Sequence, residues 1–301
     1  MPLGALLLER DGRDLVYVAI ARDDAPGVRR VRRVFGARAF VRPVVGSAEG
    51  GTTRASMVNS PAAVARIATL KPDLIVSWFW TKRLPPEILA LAPAIGVHPS
   101  LLPRHRGPDP FFGAIDSGDE VTGVTAHLLD ETYDTGAILR QVPLRIDPAW
   151  NSWTLAKKLD RPSLAVLREV VADYARGEPP EPRAQSDAEA TEAPTPTEDM
   201  LEIRWNEPAE RIARRVRAAA PWPGAYTEIG GETVVLLEVK PTREFPRALA
   251  PGEGAVRKDG VLVVRAADFA LELRAGRREE DELFLDRDAL ASLLGGRGAL
   301  A

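Results

Sequence analysis

The chain has 301 residues, 45% hydrophobic and 28% charged, a soluble globular composition that excludes the disordered and fibrous classes. Its 43 acidic and 40 basic residues give a formal charge of -3, so any grip on nucleic acid has to come from a local patch. Cysteine is absent, which excludes disulfide scaffolds, Cys-ligated zinc, iron–sulfur clusters and thiol catalysis. The opening MPLGALLLERDGRD has no basic n-region and no cleavage site. No apolar run approaches the roughly 20 residues that span a bilayer. The expectation is a soluble, cytoplasmic, redox-indifferent protein away from membranes, long enough for two domains.

In chain order, strands are expected at Asp14–Ile20, Ala39–Val45, Asp73–Trp78, Ile95–His98, Val121–Leu129 and Ala137–Leu144. Whether Leu3–Leu8 forms a further strand is open. Asn59-Ser60-Pro61 starts a helix through Leu70, with Ser60 as the cap and Pro61 in the first turn. Helices follow at Pro110–Asp116 and Leu155–Val171. Strands alternating with helices of this length imply an α/β domain with a mostly parallel, Rossmann-like sheet.

Residues 178–199 then stand apart: seven acids, five prolines, one arginine and no Val, Ile, Leu or aromatic residue. Such a stretch buries too little apolar surface to offset its ordering entropy, so it reads as an acidic, Pro-rich mobile linker between domains at 1–177 and 200–301. Beyond it, a helix at Ala209–Ala219 precedes short strands at Ala225–Ile229, Thr233–Val239, Gly254–Arg257, Val261–Ala266 and Phe269–Arg274. Gly230-Gly231 and Asp259-Gly260 supply hairpin turns, and Asp286 caps a last helix before Gly295-Gly296. Five short strands suggest a small oligonucleotide-binding-like (OB-like) β-barrel, although other barrels fit equally well.

All three histidines lie between residues 98 and 127. Histidine titrates near neutrality and so marks this region for acid–base work. His98 closes a short strand and opens the Pro-bracketed loop 99–107, where the carboxyl ends of strands in an open α/β sheet leave a ligand crevice. His127 ends the strand before Asp130–Gly136, and that loop brings Asp134 toward the same sheet edge. A turn former is the commoner role for such an aspartate.

The segments GVHPSLLPRHRG and GAIDSGDEVTGVTAHLLDETYDTGAIL resemble the folate-dependent N-formyltransferases over Pro72–Ile138. WNEPAERIARRVRAAAPWPGAYT is similar to the start of the C-terminal barrel in members acting on methionyl-tRNA, with related text in those that formylate UDP-amino-arabinose. The resemblance implies 10-formyltetrahydrofolate as formyl donor and no metal. It implies that His98 acts at the formyl carbon, that Asp134 orients His98 or a water, and that Ser100, Leu101, Leu102 and Pro103 line the folate site. It also implies an asparagine at position 96, where this chain has Gly96. Losing one oxyanion donor costs about 10²–10³ in rate, and Gly96→Asn is expected to raise the rate if the site has room.

Residues 25–48 carry six arginines and no acid, and by resemblance Arg29, Arg30, Arg32 and Arg33 are candidate contacts to initiator methionyl-tRNA. Arg211, Arg214, Arg215 and Arg217 form a second basic strip beside the barrel. Residues 200–301 hold 16 basic and 17 acidic residues, and His127 is closer to the small-molecule members of the family. The acceptor therefore stays open between methionyl-tRNA, which leads, and an amino sugar or other small amine; a folate- or RNA-binding relative without activity is a third reading. A monomer is favoured. Trp78 and Trp80 fit core or rim packing or the wall of a folate pocket, and Trp222, between two prolines, is expected to anchor the junction to the barrel.

Overall fold

A computed structural model describes residues 2–20, 28–41, 60–78 and 83–294. The expected strand beyond Val41, Arg42, Asn59, Trp80 and Gly295-Gly296 lie outside them. The chain divides into two compact units, one of residues 1–106, 123–143 and 160–191, the other of 107–122, 144–159 and 192–301.

The first unit opens with helix α1 (Pro2–Arg10), so the Leu3–Leu8 run is helical. Strand β1 (Val18–Ile20) pairs in parallel with β2 (Ala39–Val41). Helix α2 (Val28–Phe35) buries Val28, Val31 and Phe35, and Val31 and Phe35 pack with Val18 of β1. Like-charge arginines three and four residues apart cost this helix a few tenths of a kcal/mol per pair. Burying each of those apolar side chains returns about 1.5–3 kcal/mol, so the apolar stripe decides.

Helix α3 (Pro61–Leu70) starts as its cap signals require, with the Ser60 hydroxyl accepting from Ala63 N at 3.2 Å. Strand β3 (Ile75–Ser77), the short helix α4 (Pro86–Leu89) and β4 (Ala94–His98) follow. A four-stranded sheet is ordered β3-β4-β5-β6, with β5 at Val121–Leu128 and β6 at Ile138–Arg145. Strand β3 runs parallel to β4, and β4 runs antiparallel to β5.

Helix α5 (Pro110–Ser117) belongs to the second unit, and helix α6 (Ser152–Arg176) runs through the division. Helix α6 is longer at both ends than its apolar pattern. Asn151 Oδ1 accepts from Thr154 N at 2.8 Å, while Gly177, at φ 76°, ends the last turn. The buried Leu159, Val166, Leu167 and Val170 offset the roughly 3 kcal/mol cost of Pro162 inside the helix.

The second unit continues with the short helix α7 (Glu198–Leu201) and α8 (Ala209–Ala219). Its sheet comprises β7 (Ala225–Ile229), β8 (Glu232–Thr242), β9 (Gly254–Val256), β10 (Leu262–Arg265), β11 (Ala270–Arg278) and β12 (Phe284–Leu285). The order is β7-β8-β11-β10-β9 with β12 on β11, an antiparallel arrangement consistent with a small OB-like domain. Gly230 and Gly231, both at positive φ, make the β7–β8 turn. Asp286 caps α9 (Arg287–Leu293) through Ala289 N at 2.9 Å.

Trp222 and the α8 arginines depart from the sequence expectation. Trp222 is 68% exposed; the buried tryptophan beside the barrel is Trp205, whose Nε1 donates to Thr227 Oγ1 at 3.0 Å. The basic strip on α8 is turned inward. Arg215 donates to both carboxylate oxygens of Asp116 on α5 at 2.6 and 3.1 Å, and Arg211 joins the same carboxylate at 3.1 Å. Arg214 reaches Asp116 O at 3.4 Å and Arg217 reaches Trp150 O at 2.9 Å. Among the described residues, no helix is long and apolar enough to cross a membrane.

Candidate active site

In the β4–β5 ladder Gly96 lies opposite His127 and His98 opposite Thr125. Side chains two apart on a strand share a face, so both imidazoles project from the same face of the sheet. Asp134 is delivered to them by the 130–136 loop, which Asp130 braces by accepting from Thr132 N at 3.0 Å and Thr135 Oγ1 at 2.8 Å. Gly136 is obligatory there, because a Cβ would stand 1.8 Å from Leu128 O. Asp134 itself adopts φ 58°, a left-handed conformation that aspartate tolerates better than most residues.

One carboxylate oxygen serves both rings. Asp134 Oδ1 lies 3.5 Å from His98 Nδ1 and 3.7 Å from His127 Nε2. The opposite nitrogens are held by backbone carbonyls: His98 Nε2 donates to His105 O at 2.7 Å, and His127 Nδ1 to Leu128 O at 2.8 Å. Both histidines are buried, and desolvation pushes both pKa values below the usual 6.5, with the Asp134 charge pulling in the opposite direction. The cluster thus presents two neutral, oriented imidazoles and a carboxylate that favours their charged forms.

The loop after His98 is fixed from beneath. Thr125 Oγ1 donates to Ser100 O at 2.7 Å and accepts from Leu102 N at 3.0 Å, while Gln141 Nε2 donates to Leu102 O at 2.9 Å. Ser100 and Leu102 are buried, whereas Leu101 and Pro103 keep part of their apolar surface open. Among the described residues, no group of His, Cys, Asp and Glu is placed to hold a metal ion.

Gly96 is spoken for. A Cβ there would meet Leu129 Cδ2 at 2.8 Å and His127 Nε2 at 3.2 Å, so the space a longer side chain needs is already filled. Trp78 lies against Gly4 of α1, as a packing residue does.

The supposed linker carries residues that the sequence left without a role. Arg183 exchanges backbone hydrogen bonds with Ile138 at 2.7 and 2.9 Å, and Thr191 binds the backbone of Pro103, His105 and Arg106. Residues 183–191 are therefore tied to the first unit, where low apolar content predicted a free tether. Main-chain pairing and polar side chains supply the anchorage, and neither registers in a hydrophobicity pattern.

Residues 12–171 match the formyl transferase family, and residues 197–284 match the formyl transferase C-terminal domain. The methionyl-tRNA formyltransferase of Roseiflexus sp. is 38% identical over 208 residues, 68% of this chain and 64% of that protein's length. That of Caldanaerobacter subterraneus is 36% identical over 220 residues, covering 72% of this chain and 70% of its relative. Among solved structures, HypX from Aquifex aeolicus in complex with tetrahydrofolic acid aligns over 93% of this chain and 47% of its own, with a TM-score of 0.62 and 21% identity. The N-formyltransferase of Helicobacter canadensis aligns over 86% of this chain and 98% of its own, at a TM-score of 0.57 and 13% identity. Two matched family regions and relatives at this identity make the chain a member of the formyl transferase family.

Proposed function

We propose that this chain is a cytoplasmic, folate-dependent N-formyltransferase that formylates the amino group of initiator methionyl-tRNA. The observation that carries the reading is the convergence of His98 and His127 on one oxygen of Asp134. Relatives named for the methionyl-tRNA reaction support the acceptor.

The donor, 10-formyltetrahydrofolate, supplies an activated formyl carbon. The partly open apolar surfaces of Leu101 and Pro103, on a loop anchored through Ser100 and Leu102, fit a flat heterocycle beside His98. Transfer forms a C–N bond to the acceptor amine and breaks the bond to the folate nitrogen, with one proton moving from the amine to the leaving nitrogen. His98 accepts the amine proton at Nδ1, the nitrogen that faces Asp134, and returns it to the leaving nitrogen, and the imidazolium formed in between stabilises negative charge developing on the formyl oxygen. Asp134 orients His98 and stabilises the imidazolium. His127, which contacts the same carboxylate from β5, is the second imidazole available to the proton. The exposed Arg29, Arg30, Arg32 and Arg33 of α2 are the candidate contacts to acceptor phosphates.

The test is formyl transfer to charged initiator methionyl-tRNA. Wild-type turnover is expected, with losses of about 10²–10⁴-fold in His98→Ala and in Asp134→Ala. Unchanged turnover in either variant refutes the site assignment, and turnover of an amino sugar without tRNA turnover moves the acceptor. Gly96→Asn is expected to slow the reaction, because its Cβ intrudes on His127 and Leu129.

A further inference from the structure

Gln185 lies in the Pro-rich segment, yet each polar group of its side chain is engaged. Its Nε2 donates to Asp134 O at 2.8 Å and to Gly136 O at 2.7 Å. Its Oε1 accepts from Arg106 Nε at 3.0 Å and Arg106 Nη2 at 2.9 Å. A primary amide offers two donor hydrogens and an oxygen with two lone pairs, so this set of four uses its full capacity. Glutamate lacks the donors, and an apolar residue lacks both halves.

The two ends of this bridge matter. One is the peptide of Asp134, whose left-handed backbone has to be held against more relaxed conformations. The other is Arg106, next in sequence to His105, whose carbonyl accepts from His98 Nε2. Arg106 is buried, and its Nη2 also reaches Asp187 at 3.0 Å. One amide thus spans the loop that carries the carboxylate and the loop that clamps the imidazole.

We infer that Gln185 is a positioning residue for formyl transfer, setting the Asp134 carboxylate against His98 by tying the 130–136 and 99–107 loops together. The inference rests on the reaction proposed above for its kinetic consequence, but not for its structural one. Gln185 touches neither ring and acts through the backbone of Asp134 and through Arg106. Because a displacement of about 1 Å in a reacting constellation costs on the order of 10²-fold in rate, loosening this bridge is expected to lower kcat by about ten- to a hundredfold and leave KM for the folate within about threefold.

The experiment compares the full-length chain with Gln185→Met, which keeps length and removes all four hydrogen bonds. The activity-independent readout is NMR titration of the imidazoles, readily assigned because the chain has three histidines. The groups that act on His98 are Asp134 from its loop, His105 from the loop following β4 and His127 from β5. Asp134 raises the His98 pKa against burial, so a carboxylate that drifts away lets burial dominate and moves the midpoint down. A lower His98 midpoint together with a fall in kcat supports the inference. A His98 titration unchanged in folded Gln185→Met overturns it, even if Tm drops, since that is the signature of a merely structural bridge. Should Gln185→Met fail to fold, Gln185→Glu retains the acceptor for Arg106 and removes the donors to Asp134 and Gly136. An unchanged kcat there likewise overturns the inference. If the wild-type chain transfers no formyl group to any amine, the proposed reaction falls, while the His98 midpoint still decides the role of Gln185.

Discussion

Helices α2 and α8 read almost alike, as VRRVRRVF and AERIARRVRAA, yet their arginines have opposite fates. On α2 the apolar residues Val28, Val31 and Phe35 take the buried stripe and leave Arg29, Arg30, Arg32 and Arg33 exposed. On α8 the arginines are enlisted by the fold, with Arg211 and Arg215 on the carboxylate of buried Asp116 and Arg217 on a backbone carbonyl. The lesson is that arginines set against a buried acid are spent on that acid, whereas arginines left on the exposed face of a helix keep their charge toward solvent. Desolvation makes the difference, since a buried carboxylate needs a cation far more than an exposed arginine needs a phosphate.

The largest expected effect belongs to Arg215→Ala. Both partners keep little exposed side chain, 12% for Arg215 and 11% for Asp116, so removing one leaves an under-compensated buried charge. A loss of about 1.5–3 kcal/mol is expected in denaturant unfolding, because Arg211 still faces the carboxylate at 3.1 Å, and a loss below 1 kcal/mol would return α8 to the class of solvated strips. Next comes replacement of Arg29, Arg30, Arg32 and Arg33 by alanine. Stability is expected to move little, whereas binding of initiator tRNA weakens at least about tenfold and its salt slope falls by roughly 1 for each arginine in phosphate contact. An unaltered slope removes α2 from the RNA surface. The smallest effect belongs to Arg217→Ala, about 1 kcal/mol for one hydrogen bond to Trp150 O, with tRNA binding unchanged.

Acid provides a contrast within the active site. Burial keeps His98 and His127 neutral in the folded chain, and both pKa values lie below 6.5. As the pH falls through about 6.5 the unfolded chain takes up protons that the folded one refuses, so this contribution to stability is complete above that range and declines below it. The Tm of His127→Gln is expected to fall less steeply than wild type between pH 7 and pH 5; parallel curves would show that His127 is as easily protonated folded as unfolded.

Elements with their own local signals were legible in advance. Ser60 and Asp286 cap helices as read, and the glycine pair at 230–231 turns the β7–β8 hairpin. The residue pattern around His98, Asp134 and the 100–103 loop pointed to the region where the structure brings two imidazoles and a carboxylate together. His127 was visible as a residue of interest, but its contact with Asp134 depends on ladder register and on the left-handed backbone at 134. Gln185 carried no signal, because one amide in a polar, proline-rich stretch looks like solvent-exposed filler.

Periodicity, caps, turns and extended motifs are written in neighbouring residues, and they carried the α/β and antiparallel-β character of the chain, the bounds of α3, α8 and β7, and its kinship with the formyl transferases. Tertiary structure alone decided that Gly96 yields its space to His127, that the α8 arginines face inward, and that residues 183–191 brace both loops around His98. Each of these turns on a partner dozens of residues away. Burial and hydrogen-bond satisfaction choose such partners from the folded surroundings, and local sequence does not encode that choice.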